Sequence, residues 1–131
     1  MTQPPLRGRG TGIVHTARPI IASPSGLPSQ ALIDASSGSL GLYVGQQWLQ
    51  PGERVRRHTH PVEEALIFLT GRGEAMLGNE RFEIGEGINL HIPADLEHGF
   101  TNTGDEPLTV LIVFPLSTFA PTHFVEPDVS T

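Results

Sequence analysis

Gly52-Glu53-Arg54-Val55-Arg56-Arg57-His58-Thr59-His60-Pro61-Val62-Glu63-Glu64 is the stretch that decides the fold, and the chain answers it further on with Gly87, Pro93, His98 and Asn102. In an extended strand side chains alternate faces. His58 and His60 therefore project to one side, roughly 6.5 to 7 Å apart at the backbone, close enough for both imidazoles to reach one ion. Pro61 interrupts the strand, and Glu64 opens the apolar run Ala65-Leu66-Ile67-Phe68-Leu69, which reads as a second strand ending at Gly71-Arg72-Gly73. A neighbouring strand can present its carboxylate to the same point. His98 arrives from further along, behind a turn spanning Pro93 to Glu97.

Fifteen glycines and twelve prolines in 131 residues punctuate the chain too often for long helices. The segments between them are short and apolar or alternating, so the fold class expected is an all-β barrel or jelly roll. The length suits one domain. A Pro-, Gly- and Arg-rich arm is expected over residues 1–12, the barrel over 13–116 and a tail over 117–131. Ile13-Val14, Ile20-Ile21 and Ala31-Leu32-Ile33 read as edge strands, and Leu40 to Leu49 as a firmer one. Gly78-Asn79 signals a hairpin between Glu74–Leu77 and Arg81–Ile84, and Leu108 to Phe114 reads as a strand buried on both faces.

The spacing resembles the cupin family. The first motif of that family matches here as Gly52, five residues, His58-Thr59-His60, three residues, Glu64, six residues, Gly71. The second matches as Gly87, five residues, Pro93, four residues, His98, three residues, Asn102. One departure stands out: Asp95 occupies the place two residues after the proline where the family usually has Gly, and Asp is among the residues that tolerate a left-handed turn. The resemblance implies a double-stranded β-helix, with His58, His60, Glu64 and His98 as metal ligands and Gly52, Gly71, Gly87, Pro93 and Asn102 as turn and scaffold positions.

Three neutral imidazoles and one carboxylate suit one first-row divalent metal, with Fe, Mn, Ni, Cu, Co and Zn all open as identities. Four protein ligands leave two positions of a six-coordinate ion for water, dioxygen or a chelating substrate. With iron, copper or manganese the resemblance implies a dioxygenase acting on a small oxygen-rich molecule. With nickel, cobalt, zinc or manganese it implies an isomerase, cyclase, decarboxylase or hydrolase instead. A sugar-like binding or sensing module without turnover is the third reading, since a barrel by itself does not specify chemistry.

Composition removes several classes. Cysteine is absent, which excludes disulfides and thiolate chemistry. All eight basic residues are Arg, so no side-chain Schiff base can form. A formal charge of −6 argues against nucleic-acid binding, and no apolar stretch is long enough for a membrane helix or a secretory signal, so a cytoplasmic protein is expected. The expected partners are a small-molecule substrate and a second copy in a homodimer.

Strand parity extends from the ligands to a pocket. Arg56 shares parity with His58 and is expected to orient an anionic substrate group, whereas the commoner fate of such an Arg is to reach the barrel mouth and pair with a surface acid. Phe68 and Phe100 share parity with Glu64 and His98, and Trp48 precedes the first motif; all three are candidate substrate-binding residues. No nucleophile frame is present, because the serines cluster in polar loops without a G-x-S-x-G pattern.

Overall fold

The structure, a computed structural model, describes residues 10–126; most of the expected arm, residues 1–9, and residues 127–131 of the expected tail lie outside them. The strands are β1 (Ile20–Ala22), β2 (Pro28–Ile33), β3 (Tyr43–Leu49), β4 (Arg54–Thr59), β5 (Glu64–Thr70), β6 (Arg72–Leu77), β7 (Glu80–Gly85), β8 (Asn89–Ile92), β9 (His98–Asn102), β10 (Leu108–Phe114) and β11 (His123–Phe124). They form two antiparallel sheets, one in the order β1-β2-β3-β10-β5-β8 and the other β11-β4-β9-β6-β7. The helical content described is two single 3₁₀ turns, His15–Ala17 and Ala35–Ser37.

Alternation builds the core. Along β10 every second residue, Leu108, Val110, Ile112 and Phe114, is buried, and Tyr43 and Leu49 of β3 and Leu66 and Phe68 of β5 meet them from the adjoining strands. Each such fully buried side chain contributes about 1.5–3 kcal/mol. Phe100, Val55, Ala75 and Ile84 close the core from the second sheet.

Turns set the frame. Gly71, at φ 83°, joins β5 to β6, and a Cβ there would lie 2.6 Å from the Pro107 carbonyl oxygen, so any side chain is excluded twice over. Gly78, at φ 59°, opens the two-residue hairpin between β6 and β7. Asn102 is 1% exposed and acts as a clamp. Its amide donates to the carbonyls of Leu49 and Glu106 at 2.9 and 2.8 Å, and its oxygen accepts from Gly104 N–H at 2.9 Å.

Several expectations are corrected. Ile13-Val14 forms no strand; it runs into the first 3₁₀ turn with Val14 exposed, because an apolar pair with no neighbouring strand gains nothing from extended pairing. The firm strand begins at Tyr43 and not at Leu40. β10 is fully buried on one face only, since Thr109, Leu111 and Val113 alternate to the other side and are half-buried among the described residues. The segment after Pro115 is part of the fold through Glu126: Ala120 is buried, and β11 pairs with β4 in the register His123↔Thr59 and Phe124↔His58.

Candidate metal centre

His58 near the end of β4 and His98 at the start of β9 are register partners in one sheet. His60 follows β4 directly, and Glu64 begins β5 in the facing sheet. The turn before His98 holds this arrangement together. Asp95 takes φ 67°, the one positive value for a non-glycine among the described residues, and its N–H donates to the His60 carbonyl at 2.8 Å. The Asp at the place of the usual glycine thus adopts the left-handed conformation that the turn requires.

All four side chains are buried, and one ligand atom from each lies within 4.8 Å of every other. Each imidazole is oriented from behind by a backbone carbonyl. His58 Nδ1 donates to Arg56 O at 2.7 Å, His60 Nδ1 to Pro121 O at 3.0 Å and His98 Nδ1 to Leu96 O at 2.9 Å. A carbonyl only accepts, so the proton sits on Nδ1 in each ring and the Nε2 lone pair faces inward. This is the orientation that a metal-ligating histidine takes from its outer partners.

The donor set itself tests whether a cation fits. His58 Nε2 and His60 Nε2 are 3.1 Å apart, and His98 Nε2 is 2.8 Å from Glu64 Oε1. With the protons on Nδ1, the first contact sets lone pair against lone pair, which is unfavourable unless positive charge stands between them. A proton is disfavoured in that role at the first pair. Burial pushes the His58 pKa down to about 3, with the neighbouring His98 adding to the effect, and burial also lowers His60 against the opposing pull of Glu64. A divalent ion fits the site.

The ligands open onto a cavity with 20 Å³ of free space, walled by Val55, Leu66, Phe100 and Ile112 from the strands and by Phe119 and Thr122 from the C-terminal segment. The candidate pocket residues divide. Phe100 reaches the cavity wall, and Phe68 stands behind it in an edge-to-face contact with ring centroids 5.6 Å apart. Arg56 lies outside the cavity. The ladder between β4 and β9 shifts register between Val55 and His58, so Val55 turns inward and Arg56 outward, where its guanidinium stacks 4.1 Å from the Phe124 ring centroid and donates to Glu126 O at 3.1 Å. Trp48 also faces away: the inward residues of β3 are Tyr43, Gly45, Gln47 and Leu49, and Trp48 pairs on the outer face with Thr109. Gln47 takes the place expected of Trp48, a position readable from the alternation that buries Leu49. Phe119, Thr122 and the Pro121 carbonyl carried no such signal, since their position depends on where the tail returns.

The other polar residues near the motifs are peripheral. His91 is exposed and pairs with Glu63 at 2.8 Å, and Glu97 lies 3.7 Å from Arg57. Glu126 caps the bulged strand, accepting from the Arg57 N–H at 2.6 Å and pairing with Arg54.

Residues 45–114, more than half of the chain, match the Cupin domain family Cupin_2. The chain belongs to the cupin family. This cupin is 39% identical over 90 residues to "Polyketide synthase CurC" of Streptomyces cyaneus, a match covering 68% of the chain and 54% of CurC, so it spans about half the length of that relative. It is 34% identical over 119 residues to "Protein SchB" of Streptomyces halstedii, covering 90% of the chain and 74% of SchB. In structure it is similar to the polyketide cyclase RemF of Streptomyces resistomycificus, with a TM-score of 0.78 at 20% identity over 92% of this cupin and 88% of RemF. That last likeness speaks to the double-stranded β-helix fold. No helix among the described residues is long and apolar enough to cross a membrane.

Proposed function

We propose that this cupin is a metal-dependent cyclase acting on poly-β-ketone intermediates. The observation that carries the reading is the buried cluster of three imidazoles and one carboxylate beside a largely apolar cavity. His58, His60, Glu64 and His98 would hold the metal. A divalent ion bound there supplies Lewis acidity, polarising the oxygens of a β-dicarbonyl and acidifying the carbon between them.

The chain's own residues supply the surroundings. Val55, Leu66, Phe100 and Ile112 exclude water, which strengthens every electrostatic interaction at the site and favours a folded, ring-closing conformation of the substrate. Among the described residues, the titratable groups lining the cavity are the four candidate ligands themselves, with no separate carboxylate or imidazole beside them to act as base.

Cyclisation is preferred over the dioxygenase reading on one specific ground. The ligand set suits either chemistry, whereas the 39% identity to a protein named as a polyketide synthase supports poly-β-ketone substrates. The test is the purified protein, its metal identified by elemental analysis at about one ion per chain, incubated with a synthetic poly-β-ketone thioester. A ring-closed, dehydrated product by mass spectrometry is expected, and the His58→Ala, His60→Ala double variant should lose both metal and product. Stoichiometric dioxygen uptake with cleavage of the substrate would overturn the cyclase reading in favour of a dioxygenase.

A further inference from the structure

Of the strand side chains that line the cavity and are not ligands, one is polar: Gln47 on β3, beside Val55, Leu66, Phe100 and Ile112. It is 3% exposed. A buried carboxamide has two donor hydrogens and an acceptor oxygen to satisfy, and leaving them unmet is unfavourable. The side-chain partner of Gln47 is Ser23, whose Oγ accepts from Nε2 at 2.7 Å. That bond uses one of the two hydrogens, and the side chain lines the cavity.

Ser23 belongs to no strand. It sits in the turn between β1 and β2, closed by Ser23 N–H to Leu27 O and Gly26 N–H to Ser23 O, both at 2.8 Å. Ser23, Pro24 and Ser25 form one wall of the cavity. Size then decides what must happen on binding. A space of 20 Å³ admits about one water, so a poly-β-ketone enters only if a wall gives way. β3, β4, β5, β9 and β10 each pair with a strand on both sides, whereas the turn at Ser23 hangs from its own short hairpin at the edge of the sheet. When that turn yields, Gln47 loses its partner at the moment a substrate oxygen arrives.

Resting on the poly-β-ketone reading of the site, we infer that Gln47 is its specificity-determining residue. Its carboxamide passes from the Ser23 hydroxyl to a third substrate oxygen, beyond the two that chelate the metal. Poly-β-ketones carry an oxygen on every second carbon, so a substrate long enough to fold has such an oxygen and a simple β-diketone does not. The remaining strand walls are apolar and read only shape.

The experiment is calorimetric titration of zinc-reconstituted protein with pentane-2,4-dione and heptane-2,4,6-trione. Wild type should bind both, and Gln47→Leu should lose about tenfold in trione affinity while dione affinity stays within about twofold; Gln47→Met provides the same comparison should the Leu variant fold poorly. Equal losses for both probes would make Gln47 a structural residue and overturn the inference. So would an unchanged trione affinity. If wild type binds neither probe, the poly-β-ketone reading fails and takes this inference with it, whereas trione binding with no dependence on Gln47 sinks the inference alone.

Discussion

His58 holds a neutral ring in a buried position, and that has a consequence for acid stability. Its folded pKa of about 3 lies below the unfolded value near 6.5, so between those pH values the unfolded chain binds a proton that the folded chain does not. Stability contributed by His58 is complete above about pH 6.5 and falls as the pH drops toward 3, at up to about 1.4 kcal/mol per pH unit. His60, lowered as well, acts in the same direction. Denaturation of chelator-treated protein should show a loss of about 2 kcal/mol between pH 7 and pH 5, and a His58→Gln variant should show a shallower slope. An identical slope in the two would remove His58 as the cause. Arg56 gives a contrasting prediction. Its guanidinium rests on Phe124 away from the cavity, so Arg56→Met should leave metal content and substrate affinity unchanged and cost about 0.5–1 kcal/mol of stability, read by thermal melts. A tenfold loss of substrate affinity in that variant would return Arg56 to the pocket. The two residues show what was legible. The cluster of candidate ligands could be read from spacing, because His58-Thr59-His60 needs only local alternation, whereas Arg56 lies off the expected face because one bulge between Val55 and His58 reverses every parity on its far side.

The turns fix how the strands deliver the candidate ligands, and the one from Pro93 to Glu97 does most for the candidate metal centre. Asp95 N–H holds the His60 carbonyl, and Leu96 O orients His98, so this single turn positions two ligands from two strands. Asp95→Gly should be close to neutral, because glycine adopts φ 67° freely. Asp95→Val should cost about 1–2 kcal/mol, since a β-branched residue is disfavoured in the left-handed region, and metal affinity should fall with it. Chemical denaturation and metal titration of the pair decide this, and equal stability for Gly and Val variants would show that the turn relaxes without consequence. At this scale, strands with long apolar alternation such as β5 and β10 were readable from the sequence, as was the Gly78-Asn79 hairpin. β11 was not. Its two residues, His123 and Phe124, are extended because β4 offers a free edge, and that depends on the assembled sheet rather than on local preference.

Among the described residues, the outer face of the sheet that holds β3, β10 and β5 carries no second layer. Cross-strand registers set Val44, Val113 and Ala65 in one row and Gln46, Leu111 and Ile67 in the next, all on the outer side of β3, β10 and β5. Trp48 extends the patch along β3, and Leu69, 39% exposed, along β5. Such a run of aliphatic side chains is unusual on the face of a soluble monomer, where contiguous apolar patches mark association sites. Leu108 to Phe114 reads in sequence as a strand buried on both faces, and a second copy packed across this sheet would supply the missing burial of Leu111 and Val113. A symmetric pair is the commonest way for a chain to cover a single self-complementary patch. Light scattering should therefore give twice the chain mass in dilute solution. Leu111→Lys, which sets a charge at the centre of the patch, should shift that mass to the monomer while leaving the metal content at about one ion per chain, because the ligands lie on the opposite face of the sheet. A wild-type mass that stays monomeric over a hundredfold range of concentration would mean that the patch has no partner in its own kind.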